Sequence, residues 1–384
     1  MNRYFGLSLG AVAIIAGFSH RVVARETLTA LGVLEPPQTA LTETLPSPPE
    51  DAATGQTGLI GATIGYAQDE GASVALDGVL APGGRDDRQL SFGLKLSERR
   101  ALANATYRIK DGLPAWGDLF VGINGVTGRP TAAHDFRYAA ASVVAGVVIT
   151  RPLARTTLYT GLGFDNLTDP GPRFPAVAAG DLGDRRKVLF GLEHAMAGET
   201  ATGSWSVDLG TELAALTKGG SIARFRAGGA LTGAVAGGKL VWSADLRAGA
   251  VTAQGTTTSI GDRFFLGGTT LRGFGFGGFG PYDPVAQAPV GGTQFAALRL
   301  DLRAPELFGQ DAKLIPGVHF DVGALWGLDT AAGLDTAAHA RQSVGVTLVY
   351  EIGEAAIEVS LSKALNPQTT DRTEEIQFQL RHKF

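Results

Sequence analysis

The run GDRFFLGGTTLRGFGFGGFGPYD, residues 261–283, combines dense glycine with dense aromatic side chains and carries few charges. Glycine lets a backbone turn back on itself through positive φ at little steric cost. Phenylalanine, by contrast, is among the residues most often buried. A segment that is loose in its backbone yet aromatic in its side chains has to pack inside something larger than itself. Arg272 stands in the middle of the run and is followed at once by Gly273 and Phe274.

The rest of the chain reads as a hollow container for such a segment. At 384 residues it is long enough for two soluble domains, but all-β barrels of this length form one. Its 54 glycines are about twice the usual share of roughly 7%, and charged residues, at 18%, fall below the usual quarter. Mean hydropathy is only +0.10. Beyond residue 20 no apolar run approaches the roughly 20 residues that a membrane helix needs. Strands that alternate a lipid face with a wet lumen face average to near neutrality, so a membrane barrel fits where a helical bundle does not. A net charge of −4 argues against a nucleic-acid partner. The absence of cysteine excludes disulfides and thiolate metal sites.

From residue 57 onward the chain divides into strand-like runs separated by Gly, Pro, Asp and Asn. Eleven precede the glycine-rich stretch: 58–67, 72–80, 89–97, 101–109, 119–125, 136–149, 157–164, 187–195, 204–214, 222–231 and 239–251. Five more follow it, giving sixteen, an even number as closure of an antiparallel membrane barrel favours. Turns are expected at residues 81–84 and 166–172. Alternation is clearest in the last run, where Ile376, Phe378, Leu380, His382 and Phe384 alternate with Glu375, Gln377, Gln379, Arg381 and Lys383. The expectation is an all-β transmembrane antiparallel barrel over 57–384, whose seam joins the strand of Gly58 and Tyr66 to the strand of Phe378 and Phe384.

Parity also assigns faces just after the glycine-rich stretch. Ala296, Leu298, Leu300 and Leu302 point one way, while Ala297, Arg299, Asp301 and Arg303 point the other. In the next run Val318, Phe320, Val322, Ala324 and Trp326 face outward and His319, Asp321 and Gly323 inward. Asp301 and Asp321 are therefore both placed in the lumen. So are several arginines, with Arg299, Arg303, Arg224 and Arg226 as lumen-facing candidates beside Arg272.

The stretch 261–283 resembles the inward-folded sixth extracellular loop of the BamA/TamA barrel-assembly superfamily, with Arg272-Gly273-Phe274 at the position of that family's Arg-Gly-Phe or Arg-Gly-Tyr tip. Residues 262–268 and Gly280-Pro281 are similar to the family too, as is a terminal aromatic such as Phe384. The mitochondrial sorting-and-assembly core barrel shares these features. The resemblance implies that Arg272 pairs with acids at the positions of Asp301 and Asp321, within Leu300-Asp301-Leu302 and Phe320-Asp321-Val322-Gly323. It further implies an outer-membrane factor that folds client β-barrel proteins into the lipid without nucleotide, bacterial in preference to mitochondrial, together with possible assembly-complex subunits. A pore or polypeptide-secretion channel of the same superfamily is the alternative.

Residues 1–24 read as a secretory signal, with Val22-Val23-Ala24 as a small-residue cleavage site. The alternative is that residues 22–34 belong to a degenerate POTRA segment. Residues 25–56, rich in proline, read as a linker or the remainder of that segment. Elsewhere the six histidines are scattered without HExxH spacing. The glycine pattern from Gly273 to Gly278 lacks the helix that a nucleotide site requires, and no GxSxG elbow occurs. The chain thus reads as non-enzymatic, with no catalytic residue, no metal ligand set and no cofactor.

Overall fold

The computed structural model describes residues 58–67, 71–114, 116–129, 134–309, 313–330, 333–352 and 355–382. The alternative readings of residues 1–56, and Phe384, lie outside these; of Gly58 and Tyr66 the backbone is described. Sixteen strands form one sheet. In chain order they are β1 (Gly58–Ala67), β2 (Gly71–Leu80), β3 (Arg88–Ser97), β4 (Arg100–Leu113), β5 (Gly117–Gly128), β6 (Arg137–Arg151), β7 (Ala154–Thr168) and β8 (Gly183–Thr200). There follow β9 (Gly203–Leu216), β10 (Ser221–Val235), β11 (Leu240–Gln254), β12 (Gln294–Arg303), β13 (Leu314–Trp326), β14 (Arg341–Ile352), β15 (Ala355–Ala364) and β16 (Ile376–His382). Each strand pairs antiparallel with the next, and β11 pairs directly with β12 across the long insertion 255–293. Counting connections from β1, that insertion is the sixth on its rim.

β1 and β16 come side by side and close the ring. Among the described residues no backbone ladder joins them: β1 pairs with β2, and β16 with β15. The sheet thus has two edges that face each other at the seam.

The outer wall is apolar. Val121, Leu162, Phe225, Leu246, Val318 and Leu361 are each between about half and two-thirds exposed, on the face opposite the buried polar residues. Arg224, Glu212, Asp301, Asp321 and Ser343 are buried although they belong to wall strands. This is the inverse of a soluble fold, and it matches a lipid-facing exterior around a polar interior. No helix among the described residues is long and apolar enough to cross a membrane, which is immaterial to a wall of strands.

Strands run further than the apolar alternation suggests. β8 extends to 183–200 and β4 to residue 113, beyond the runs 187–195 and 101–109. The expected turn at 166–172 begins later, because Asn166 is still in β7 and pairs with Asp184 of β8. Polar residues near the rim keep the ladder hydrogen bonds although they no longer need lipid-compatible side chains, so the strand outlasts its hydrophobic signal. The turn at 81–84 is present, with a short 3-10 segment at Pro82–Gly84.

The apolar core comes from the insertion rather than from the wall alone. Phe264, Leu266, Leu271, Phe274 and Phe279 pack inside against Phe120, Val144, Leu189, Val251, Phe295 and Leu325. Nearer the rim, Ile260 and Phe265 join Phe136, Tyr138 and Leu167. If the outer face is lipid-facing, Leu246→Arg, at mid-strand in β11, should cost about 2–4 kcal/mol of folding stability at the bilayer midplane. Urea titration of folding into lipid vesicles, followed by tryptophan fluorescence, measures it.

Candidate functional site

Inside the barrel the insertion folds into a compact hairpin. At Gly267 (φ +115°) the chain passes so close to Gly275 that a Cβ would collide with the Gly275 carbonyl oxygen. The Gly268 amide then donates to the Phe274 carbonyl at 2.7 Å. Phe274 is fully buried and meets Phe279 edge-on, with ring centroids 5.3 Å apart. Gly273 (φ +86°) lies against the wall, where a Cβ would sit 3.0 Å from Cβ of Ser343. The glycines therefore let the tip double back and touch the wall while its aromatics fill the lumen.

Arg272 is the charged centre of this tip and is almost fully buried. Its Nε donates to Asp321 Oδ2 at 2.8 Å and its Nη2 to Asp321 Oδ1 at 2.6 Å. Nη1 donates to Asp301 Oδ1 at 2.6 Å and Nη2 to Asp301 Oδ2 at 3.2 Å. Its backbone N–H adds a bond to Asp321 Oδ2 at 3.0 Å. One guanidinium plane thus grips two carboxylates, each through both oxygens, in the fork geometry that lysine cannot supply. The β12–β13 register explains why both acids are in reach. Asp301 stands opposite His319, two residues from Asp321, so the carboxylates are diagonal neighbours on the lumen face.

The other lumen arginines divide their work. Arg299 donates to the Thr269 carbonyl at 2.9 Å, and Arg224 donates to the Asp262 carbonyl at 3.1 Å, so both hold the backbone of the insertion. Arg303 pairs with Glu358 at 3.1 Å and Arg226 with Glu193 at 3.6 Å, within the wall. His319 is buried beside Ser362, its Nε2 lying 3.0 Å from the serine hydroxyl.

Two attachments of the insertion to segments outside the wall strands have no counterpart in the sequence reading. The first joins the tip to the segment that leads into β16. Gly273 and Phe274 pair antiparallel with Glu374 and Thr373. Arg372 exchanges backbone bonds with Gly275 and Gly278, and its Nη2 donates to the Phe276 carbonyl at 2.6 Å. No periodic signal exists in the polar stretch around Arg372 that could have shown this.

The second contact is a cap built from neighbouring loops over the base of the insertion. His134 places Nε2 2.8 Å from the Pro289 carbonyl, lies tilted against Phe136 and meets Phe265 edge-on. Burial lowers its pKa to about 4, so it is neutral at physiological pH and Nε2–H is the donor. Asp181 accepts the Ile260 N–H at 2.8 Å, and burial raises its pKa to about 6. Thr258 donates through its hydroxyl to Asp329 at 2.8 Å.

A family model described as the Omp85 superfamily domain matches residues 82–384, well over half of the chain. The chain belongs to the Omp85 superfamily. It is 30% identical over 156 residues to the outer membrane protein assembly factor BamA of Neorickettsia risticii (strain Illinois), which is 40% of this chain and 21% of that protein. The match thus spans about a fifth of that relative. Among solved structures, BamA from Haemophilus ducreyi lacking POTRA domains 1–3 is similar with a TM-score of 0.66 at 16% identity, over 84% of this chain and 69% of that one. CdiB from Escherichia coli is similar with a TM-score of 0.56 at 10% identity, over 86% of this chain and 63% of that one. At such identities the structural likeness concerns the fold: this Omp85 barrel has the architecture of both.

For the Omp85 tip, Arg272→Ala should cost about 3–5 kcal/mol locally, because two buried carboxylates lose their counter-charge. Asp321→Ala should cost less, and Asp301→Ala least, since Asp301 accepts fewer bonds and Asp321 still holds the arginine. Arg272→Lys should rescue only partly. Hydrogen exchange of the amides from residue 273 to 279 reads this order.

A pH effect follows from His134. Its depressed pKa means that the open state takes up more protons between about pH 6.5 and 4, so the cap loses stability as pH falls through that window. The raised pKa of Asp181 acts in the opposite sense between its ordinary value and about 6. Comparing wild type with His134→Gln isolates the histidine. The difference in exchange protection at Phe265 and Val290 should be present at pH 7 and fade by pH 4.

Proposed function

We propose that this Omp85 barrel is an assembly factor of a bacterial outer membrane, inserting client β-barrel proteins into the lipid without nucleotide or cofactor. The observation that carries the reading is the seam, where β1 and β16 stand adjacent with no ladder between them among the described residues. A strand edge with free N–H and C=O groups is a template for an incoming strand, and β-augmentation is how such an edge recognises an unfolded segment. In lipid those groups find no water, which favours exchange of strands over an exposed gap. Attachment of the loop tip to residues 372–374, immediately before β16, supports the reading by tying the loop to one side of that seam. Clients and outer-membrane lipids are then its partners, with assembly-complex subunits as further ones. A secretion channel is the second reading. The packed insertion speaks against it, because the core of the barrel interior is occupied by Phe264, Leu266, Leu271 and Phe274.

The test uses the full chain reconstituted in lipid vesicles, with a urea-unfolded eight-stranded client whose folding is read by its shift on unheated gels. The protein should accelerate client folding several-fold. One cysteine in Gly58–Ala67 and one in Ile376–His382 should abolish that acceleration when oxidised and restore it when reduced; the chain has no cysteine of its own to interfere. Conductance without acceleration would instead select the channel.

A further inference from the structure

The base of the insertion enters the barrel against β7–β10, on the far side of β11 from the Arg272 triad. There Asp262 is almost fully buried. Its Oδ2 accepts from Arg185 Nη1 at 2.7 Å, from the Ser259 amide at 3.0 Å and from the Ser259 hydroxyl at 2.9 Å. Its Oδ1 lies 3.6 Å from Lys187 Nζ and 3.7 Å from Arg224 Nη2. Three wall cations, on β8 and β10, therefore converge on one loop carboxylate.

The wall is built to need that carboxylate. Lys187 is paired with Asp165 of β7 at 2.6 Å, and Arg224 with Glu212 of β9 at 3.1 Å. Of the strand residues in this contact set, three cations thus meet two anions, and Asp262 brings the sum to neutrality. A buried surplus charge is strongly disfavoured, so the wall attracts the loop at this point independently of its tip. From these contacts we propose that Asp262 is a second charge anchor, which keeps the insertion seated in the lumen when the Arg272 triad is broken. The insertion is then a strut fixed to two walls rather than a latch hung from its tip, and the lumen opens only when both anchors are lost. This does not depend on which cargo the barrel serves.

Two arginines of the insertion report locally on its two ends, since trypsin cuts after Arg272 at the tip and after the buried Arg263 at the base. The tip is released with Asp301→Asn/Asp321→Asn, which leaves Arg272 in place, and the base with Asp262→Asn. Full-length barrels, judged folded by heat modifiability, are digested in vesicles and tested for conductance in planar bilayers. The tip-released barrel should be cut after Arg272 while Arg263 stays protected, and its conductance should stay within about twofold of wild type. The combined variant should be cut at both sites and show a sustained conductance several-fold above wild type. Asp262→Glu, which keeps the charge, should restore protection at Arg263 in the tip-released background. The proposal is overturned if the tip-released barrel alone is cut after Arg263 and conducts several-fold above wild type, a comparison with wild type that stands even if the combined variant fails to fold. It is equally overturned if Asp262→Asn leaves the tip-released barrel unchanged in both readouts.

Discussion

A guanidinium enclosed in a barrel has to find its counter-charges in the wall, and much of the architecture follows from that requirement at Arg272. Its five bonds to Asp301 and Asp321 comprise four from the guanidinium and one from the backbone amide. Moving charges from water to a poorly solvated site costs several kcal/mol each, so a buried pair adds little net stability compared with an apolar replacement. What it adds is position. An apolar loop could settle into a lumen in many registers at similar energy, whereas a fork that must meet two diagonal carboxylates has one. The aromatic side chains supply burial and the arginine supplies the register at which burial occurs.

That division of labour explains the inside-out composition. Lipid takes the place of a core for the outer wall, so the wall strands contribute leucine, valine and phenylalanine outward and lack enough apolar surface to fill the lumen. The insertion makes up the deficit. Phe264 reaches Phe295 of β12 at 4.8 Å, and Phe274 packs on Phe279. The glycine content that makes the insertion look unstructured is what allows the backbone to carry bulky rings in so narrow a space. Around it, buried ions take partners from other parts of the barrel rather than from solvent, as Arg303 of β12 does with Glu358 of β15 and Arg341 of β14 with Asp371 of the connection before β16.

The fold was largely legible because a membrane barrel imposes period two on every strand. Parity alone put Asp301 and Asp321 on the lumen face, and in the structure both are buried beside Arg272. Parity fails where its cause is absent. At the rims the side chains no longer face lipid, so β8 and β7 continue through Arg185 and Asn166 without an apolar signal. Within the insertion there is no repeating geometry, so nothing in the sequence indicated that Asp262 would meet Arg185 and Lys187 or that His134 would cap Pro289. Arg224 could be placed in the lumen from its strand, and Glu212 is its direct cross-strand neighbour on β9, but its bond to the Asp262 carbonyl depends on how the insertion folds back into the barrel.

The tip's second attachment connects this internal packing to the edge of the sheet. Gly273 and Phe274 form a two-residue bridge with Glu374 and Thr373, and β16 begins two residues beyond that bridge at Ile376. β16 is short and, among the described residues, is laddered on one side only, to β15, so its entry point is set in part by where the tip holds residues 372–374. The tip is in turn set by Asp301 and Asp321 on β12 and β13. A displacement of the guanidinium would thus be felt three strands away, through a backbone bridge rather than through the wall. β1 has no such tie among the described contacts, and the two edges of the seam are therefore not equivalent: β16 is braced from inside the barrel, while the ladder of β1 among the described residues is to β2.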